Sequence, residues 1–394
     1  MHKLSYFNEN SKLLLSLIQK KGPIAKSELL LIANMTLSTL QRAIKPLIDE
    51  GLIIESAIGE STGGRKPTLY DINPKDFYVI GVDISRTYLR VVITNLNISN
   101  IFLEKVLPIS SPQESVRVIC NTITEKLNQL SIPKSMVLGI GIGTVGPLDR
   151  EKGLILNPRN FPSNEWVNFP LKMEIEKNLN LPAFIDNGAN CAVLAEQLFG
   201  AGSSFKSVSY FNLGIGVRTG IISSGSLIRT TTDSEDSFGH MVIDMDGDKC
   251  SCGNYGCVEC YCSINAIKNK FISKVKIGRN TSSSKPLDEI TYMDICKMAE
   301  NGDELAKEVI TNSASVFGLA LANYINLLNP ELVILSGPLI KYSPLFYSVA
   351  TATASKRFYL KDRSKIIFNK GGKFQDNSIA LGSAAMVFED LLSK

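Results

Sequence analysis

After Pro74 the chain uses one order of elements twice, and that repetition narrows the fold more than any single motif. Three consecutive segments, "FYVIGVDIS", "YLRVVITNLN" and "IFLEKVLPI", read as strands. A helix follows near residues 113–130, then a buried strand in "MVLGIGIGTVGP". Further on, "SVSYFNLG", "VRTGIISSG" and "SLIRTT" are again three short strands in succession, and "ELVILSGP" and "KIIFN" are buried strands separated by a helix. Short apolar runs bounded by Gly, Pro and Asn are strand signals. A β-β-β-α-β order that recurs predicts an α/β protein with two similar lobes and a cleft between them.

With 394 residues the chain needs more than one core, and two or three domains are expected. A hydrophobic content of 44% with 20% charged residues is that of an ordinary globular protein. No apolar run approaches the roughly 20 residues that span a bilayer, and "MHKLSYFNENSK" has no signal-peptide core. The expectation is therefore a cytoplasmic protein with reduced thiols and no membrane partner.

The net charge of +4 is uneven: residues 1–70 hold nine Lys/Arg against six Asp/Glu. A basic bias at one end suits a nucleic-acid-binding head, although a solvated basic face reads the same way. The patterning is more specific. "NSKLLLSLIQKKG" sets Leu13, Leu14, Leu17 and Ile18 on one helical face, ending at Gly22–Pro23. "AKSELLLIAN" is a second helix, and Thr36 caps a third with apolar positions Leu40, Ile44, Leu47 and Ile48, stopped by Gly51. A strand "LIIES", a polar tip and a return strand "TLYDIN" complete a winged helix-turn-helix over residues 1–73.

In that geometry the third helix enters the major groove of operator DNA. Thr36, Ser38, Thr39, Gln41, Arg42 and Lys45 are the candidate groove residues, and Arg65 and Lys66 in the wing face the backbone or minor groove. Pro46 inside the third helix removes a hydrogen bond to the Arg42 carbonyl and predicts a kink. A three-helix dimerisation or protein-docking module is the competing reading.

The segment "CSCGNYGCVECYCS" packs five of the eight cysteines into thirteen residues. A reducing compartment disfavours a disulfide staple, which leaves a redox centre, a metal site or buried cysteine. His240 stands ten positions before Cys250, and Cys252 and Cys257 follow, with Gly253 and Gly256 between them. One imidazole and three thiolates on a glycine-rich loop match a closed tetrahedral Zn2+ site, structural rather than catalytic. Cys260 and Cys262 lie outside that set, and Cys120, Cys191 and Cys296 sit in helical patterns as packing residues.

Together the winged head, "GVDISRT", "FNLGIGVRTG", "LNPRNFPSNEW", "IDNGANCAVLAE" and the His-x9-Cys-x-Cys-Gly-x2-Gly-Cys-x-Glu spacing resemble the repressor branch of the ROK family (repressors, open reading frames and kinases) over nearly the whole chain. The resemblance implies an actin-like, ribonuclease H-like pair of lobes, 74–190 and 191–375, with a C-terminal helix 376–394 on the first and the zinc site in the second. Family kinases bind a hexose in the cleft beside ATP, and family repressors sense a sugar or sugar phosphate there. The implied sugar residues are Gly146, Asn160, Asn187, Gly188, Ser237, His240 and Glu259, with the zinc fixing the loop that carries Glu259.

Where the kinases have a catalytic Asp after Asn187, this chain has Gly188, which offers no base. Asp186 points to the opposite face if its strand continues. Ser237 replaces a family Glu, and with Gly188 and Ser237 in place of two polar anchors the resemblance disfavours ordinary glucose recognition and leaves room for a pentose or modified sugar. Ser85, Ile215 and Arg218 disrupt two phosphate loops, and Ser336–Gly337 replaces a Gly-Gly pair. The "GIGTVG" at 141–146 fits a dinucleotide fingerprint formally but is expected as the turn beside the sugar. The expected protein is a non-catalytic, sugar-responsive repressor, a homodimer or dimer of dimers on an inverted repeat. An active sugar kinase with an accessory head, and a scaffold controlled by a protein partner, are the alternatives.

Overall fold

The computed structural model describes residues 7–58, 68–229, 237–359 and 366–393. Contacts divide the chain into two units, residues 1–199 with 379–394, and residues 200–378. No helix among the described residues is long and apolar enough to cross a membrane.

The first unit opens with α1 (Glu9–Lys21), β1 (Ile24–Ala25), α2 (Lys26–Ala33), α3 (Leu37–Asp49), β2 (Ile53–Ile58) and β3 (Thr68–Ile72). The strands form an antiparallel sheet in the order β1-β3-β2. Asn8 caps α1 through Ser11 N–H at 2.9 Å, and Thr36 caps α3 through Thr39 N–H at 3.3 Å. Leu14, Leu15, Ile18, Leu40, Ala43, Ile44 and Leu47 make the core between the helices. Leu13 and Ile48, expected on the apolar faces, are exposed instead. Ser11 Oγ donates to the Ala43 carbonyl at 2.8 Å, so α1 and α3 meet at two small residues. That close approach brings Leu15 and Ala43 inward. The helix α3 also continues through Pro46 to Asp49. Arg42 is exposed, so water can serve the carbonyl that proline leaves without a donor.

Next come β4 (Tyr78–Ile84), β5 (Leu89–Asn95), β6 (Ile101–Leu107), α4 (Pro112–Gln129), β7 (Val137–Thr144), β8 (Leu148–Asp149), β9 (Leu154–Ile155), α5 (Leu171–Leu179), β10 (Ala183–Asn187) and α6 (Gly188–Phe199). The main sheet runs β10-β7-β4-β5-β6, with β10, β7 and β4 parallel and β4, β5 and β6 antiparallel. One face packs Ile80, Val82, Ile140 and Ile142 against Ile119 and Ile123 of α4 and Ile175 of α5. Helix α6 runs through residue 190, so the division between the units falls after Phe199.

The second unit contains β11 (Val208–Leu213), β12 (Val217–Ser223), β13 (Ser226–Leu227), α7 (Glu259–Cys262), α8 (Ile264–Lys276), α9 (Tyr292–Glu300), α10 (Glu304–Leu328), β14 (Leu332–Ser336), α11 (Pro338–Tyr342), α12 (Pro344–Ser355) and β15 (Ile367–Lys370). Its sheet is β13-β12-β11-β14-β15, with β11, β14 and β15 parallel and β11, β12 and β13 antiparallel. Numbered within each unit, both sheets have the strand order 5-4-1-2-3. The repetition read in the sequence is thus a repetition of topology. Phe211, Phe238, Phe317 and Tyr324 pack edge to face at the centre of this unit, with centroids 5.0–6.0 Å apart.

The last helix, α13 (Ser378–Ser393), returns to the first unit. It lies on the sheet face that carries glycines rather than isoleucines. A Cβ on Gly81 would fall 1.8 Å from the Ala380 carbonyl oxygen, and one on Gly141 would fall 1.7 Å from that of Ser383. "GIGTVG" is therefore not a turn beside a ligand at its start: Gly141 and Gly143 belong to β7 and serve helix packing. Gly141→Ala is expected to destabilise the first unit by about 3 kcal/mol, the upper range for overpacking. Urea unfolding measures this, and an unchanged midpoint would contradict the packing argument.

Candidate functional site

The cysteine loop of the second unit supplies the most defined chemistry. Ligand atoms of His240, Cys250, Cys252 and Cys257 all lie within 4.8 Å of one another, and the group can hold a metal ion. Cys250 Sγ is 3.6 Å from His240 Nδ1, and Cys252 Sγ is 3.7 Å from Cys257 Sγ. A tetrahedron with metal–sulfur bonds of about 2.3 Å and a metal–nitrogen bond of about 2.1 Å has edges of roughly 3.8 and 3.6 Å. The donor set fits.

Local backbone chemistry builds this loop. Cys250 N–H donates to the Asn254 carbonyl at 2.7 Å, and Ile243 N–H to that of Gly256 at 2.9 Å. Gly256 has φ +66°, and a Cβ there would sit 1.6 Å from the Asp244 carbonyl oxygen, so only glycine fits. Burial acts to raise the Cys250 thiol, but hydrogen bonds from Cys252, His240 and Cys257 outweigh it and bring it down to about 7. Burial and the adjacent Cys252 and Cys250 push Cys257 up. A divalent cation relieves such crowding by displacing thiol protons.

Cys262 is buried with its thiol on the Ser313 carbonyl at 3.4 Å, outside the four-residue cluster, as expected for packing. Cys120, Cys191 and Cys296 are buried in α4, α6 and α9.

Glu259 begins α7 directly after the loop, and its Oε2 accepts from Val217 N–H at 3.2 Å. The backbone at Gly239 runs beside it, since a Cβ there would lie 3.5 Å from Oε2. His240 and Glu259 therefore belong to one cluster. Ser237 is exposed in the short turn that leads to His240.

In the first unit, Asn187 ends β10 and Gly188 starts α6, both buried. The strand does not continue past Asn187, so Asp186 is placed by the helix instead. Its Oδ1 accepts from Asn190 Nδ2 at 3.0 Å and lies 3.6 Å from Arg150 Nη1. Arg150 is a residue that sequence reading missed, because 36 positions separate it from its partner. Thr144 of β7 pairs with Asn187 of β10, which brings Gly146 to the same end of the sheet as Gly188. Asn160 is exposed in the loop before α5, with φ +59°.

The phosphate-loop positions form compact turns. Ser85 N–H donates to the Tyr88 carbonyl at 2.9 Å, and Tyr88 Oη to Asp83 Oδ2 at 2.9 Å. Ile215 is half-buried, and Arg218 is buried in β12.

On the head, Thr36, Ser38, Gln41, Arg42 and Lys45 are exposed along α3, and Thr39 is half-buried. Thr36 Oγ1 also lies within hydrogen-bond reach of Ser38 Oγ (3.1 Å) and Thr39 Oγ1 (2.9 Å). Arg65 and Lys66 lie outside the described residues.

Comparison with known proteins agrees with this architecture. The profile of a winged helix-turn-helix DNA-binding domain matches residues 7–54. The chain is 30% identical over 388 residues to the xylose repressor of Caldicellulosiruptor bescii, which covers 98% of this chain and 96% of the relative. A solved ROK family transcriptional regulator, described as a homologue of the Escherichia coli MLC protein, superposes with a TM-score of 0.83 at 24% identity. That match covers 97% of this chain and 96% of the regulator. A ROK family glucokinase from Streptomyces griseus, solved with glucose and AMPPNP, gives a TM-score of 0.68 at 24% identity over 78% of this chain and 98% of the kinase. These last two likenesses establish the fold. Since the ROK family profile spans residues 79–390, and a relative matches head and lobes together, this chain belongs to the ROK family.

Proposed function

We propose that this protein is a sugar-responsive, DNA-binding transcriptional repressor of the cytoplasm whose kinase-like lobes sense rather than phosphorylate. The observation that carries the reading is the full-length match to a xylose repressor, head included, with Gly188 where catalysis would need a base. The effector class that follows is a pentose such as xylose.

The head supplies sequence readout. Gln41 and Arg42 have the amide and guanidinium geometry for adenine and guanine edges, and Thr36, Ser38, Thr39 and Lys45 flank them. Arg65 and Lys66 in the wing add backbone or minor-groove contacts. A homodimer or dimer of dimers presents two such heads to an inverted repeat.

The residues proposed to contact sugar are Gly146, Asn160, Asn187 and Gly188 of the first unit and Ser237, His240 and Glu259 of the second. His240, Cys250, Cys252 and Cys257 would hold a structural Zn2+, and closing the loop in this way would position Glu259. Sugar regulates by binding two conformations with different affinity.

Selection of duplexes from a random library, followed by competition with a panel of pentoses, hexoses and amino sugars, tests the reading. Capture of an inverted repeat that one sugar releases is the expected result. Failure to enrich any sequence would reject it. Replacing Arg42 or Lys45 by alanine is expected to weaken operator binding by about 1–3 kcal/mol and, where a phosphate contact is lost, to lower the salt slope by about one. Sugar-induced thermal stabilisation should be unchanged in the same variants. Unaltered operator affinity in both would take α3 out of the groove.

A further inference from the structure

Leu37 is a large apolar side chain left in water on the polar side of α3. It is the first residue of that helix and is 51% exposed. Leu40, Ile44 and Leu47 of the same helix are buried in the core of the head. Side chains four positions apart lie above one another on a helix. Leu37 therefore shares a row with Gln41 and Lys45, and Ser38 shares the next row with Arg42. All five are exposed, and Leu37 is the apolar member among them. A search for groove residues by polarity passes over it for that reason.

Thr36, its neighbour at the cap, is committed inside the protein. A hydroxyl offers one donor and two acceptor positions. Thr36 Oγ1 has Thr39 N–H at 3.3 Å, Ser38 Oγ at 3.1 Å and Thr39 Oγ1 at 2.9 Å, which fills all three. This network fixes the first turn of α3 and with it the backbone that carries Leu37.

In a helix-turn-helix the N-terminal residues of the second helix contact base edges. The profile of a DNA-binding winged helix-turn-helix covers this helix. Arg42 and Lys45 put positive charge on the same face, complementary to phosphate. In the major groove the base edges present donors, acceptors and one apolar group, the C5-methyl of thymine. That methyl is the partner a leucine can use.

We infer that Leu37 reads the C5-methyl group of a thymine in the operator, beside the base contacts of Gln41 and Arg42. The inference rests on the repressor reading of the head. Contact removes apolar surface of both groups from water. Cytosine at the same place is disfavoured twice: it has no methyl, and its amino donor meets a side chain that cannot accept. Leu37 thus selects sequence without a hydrogen bond.

The test uses the full zinc-loaded chain and the duplex it enriches from a random library. Each thymine is replaced in turn by deoxyuridine, which lacks only the methyl group, and affinity is measured by fluorescence anisotropy. At one thymine of a half-site the replacement is expected to weaken wild-type binding about three- to fivefold, the worth of one buried methyl. Leu37→Ala is expected to keep its melting temperature, to bind the unmodified duplex about three- to tenfold more weakly, and to be indifferent to that replacement. Leu37→Met, which keeps the apolar reach, is expected to retain the methyl sensitivity. Should Leu37→Ala not fold, Leu37→Gln supplies the same comparison. Wild-type binding that ignores every replacement, or a folded alanine or glutamine variant as methyl-sensitive as wild type, overturns the inference. Gln41→Ala and Arg42→Ala, measured beside them, separate the two readings. Weakened binding in these variants with no methyl effect at Leu37 rejects the leucine contact and leaves the repressor standing, whereas failure to enrich any duplex rejects both.

Discussion

Replacing Cys252 with serine is expected to strip zinc from the purified protein and loosen the loop between His240 and Glu259. Structural zinc sites contribute about 10–16 kcal/mol of apparent binding free energy. If four ligands share it evenly, one lost thiolate removes roughly 2.5–4 kcal/mol, or about two to three powers of ten in zinc affinity. The remaining three donors keep their backbone hydrogen bonds but no longer close a tetrahedron. Because Glu259 follows the loop and anchors on Val217 N–H, sugar affinity is expected to fall with the metal. Gly256→Ala should act in the same direction through the backbone, since its Cβ would collide with the Asp244 carbonyl. Elemental analysis and the melting temperature measure both effects. One zinc per chain in wild type and well under half in Cys252→Ser is the expected outcome. Full zinc in the variant would sink the assignment.

Sugar phosphorylation is expected to be undetectable in wild type with ATP and any sugar of a broad panel. Gly188 has no side chain to deprotonate a hydroxyl, and loss of a general base costs about 10²–10⁴-fold. Phosphoryl transfer depends largely on positioning and electrostatics. Here Ser85 and Ile215 lie in turns, and Arg218 in β12, at positions where the expected kinase loops would have to admit phosphate closely. The comparison protein is Gly188→Asp. Silence in both, with a sugar-induced thermal shift in wild type, is expected. Turnover only in Gly188→Asp would show that nucleotide still binds productively. Robust turnover in wild type would make the chain a kinase and end the sensor reading.

Much of this protein is determined by the sequence itself, wherever the governing interactions are local. The winged head was legible because caps, helical spacing and a hairpin act over a few residues: Asn8 and Thr36 cap the helices, and "LIIES" and "TLYDIN" pair as strands. The metal ligands were legible because three of the four sit within eight residues on a glycine-rich loop, and His240 precedes them by ten positions. The doubled element order was legible for the same reason, as each strand announces itself by composition.

What the tertiary structure decided depends on residues far apart in sequence. Which face of α1 turns inward follows from the Ser11–Ala43 contact across 32 positions, so Leu13 is exposed despite its helical spacing. The glycines of β7 look like a ligand turn until α13, some 240 residues later, lies against them. Asp186 is expected to face away if its strand continues, but the strand ends at Asn187, and Asn190 of α6 and Arg150 reach it. Arg218 looks like a loop substitution until β12 buries it opposite Asn212 of β11. Local pattern specifies which element a residue joins, because hydrogen bonding and periodicity are short-range. Close packing specifies which atoms it meets, and that is settled only when distant segments compete for the same volume.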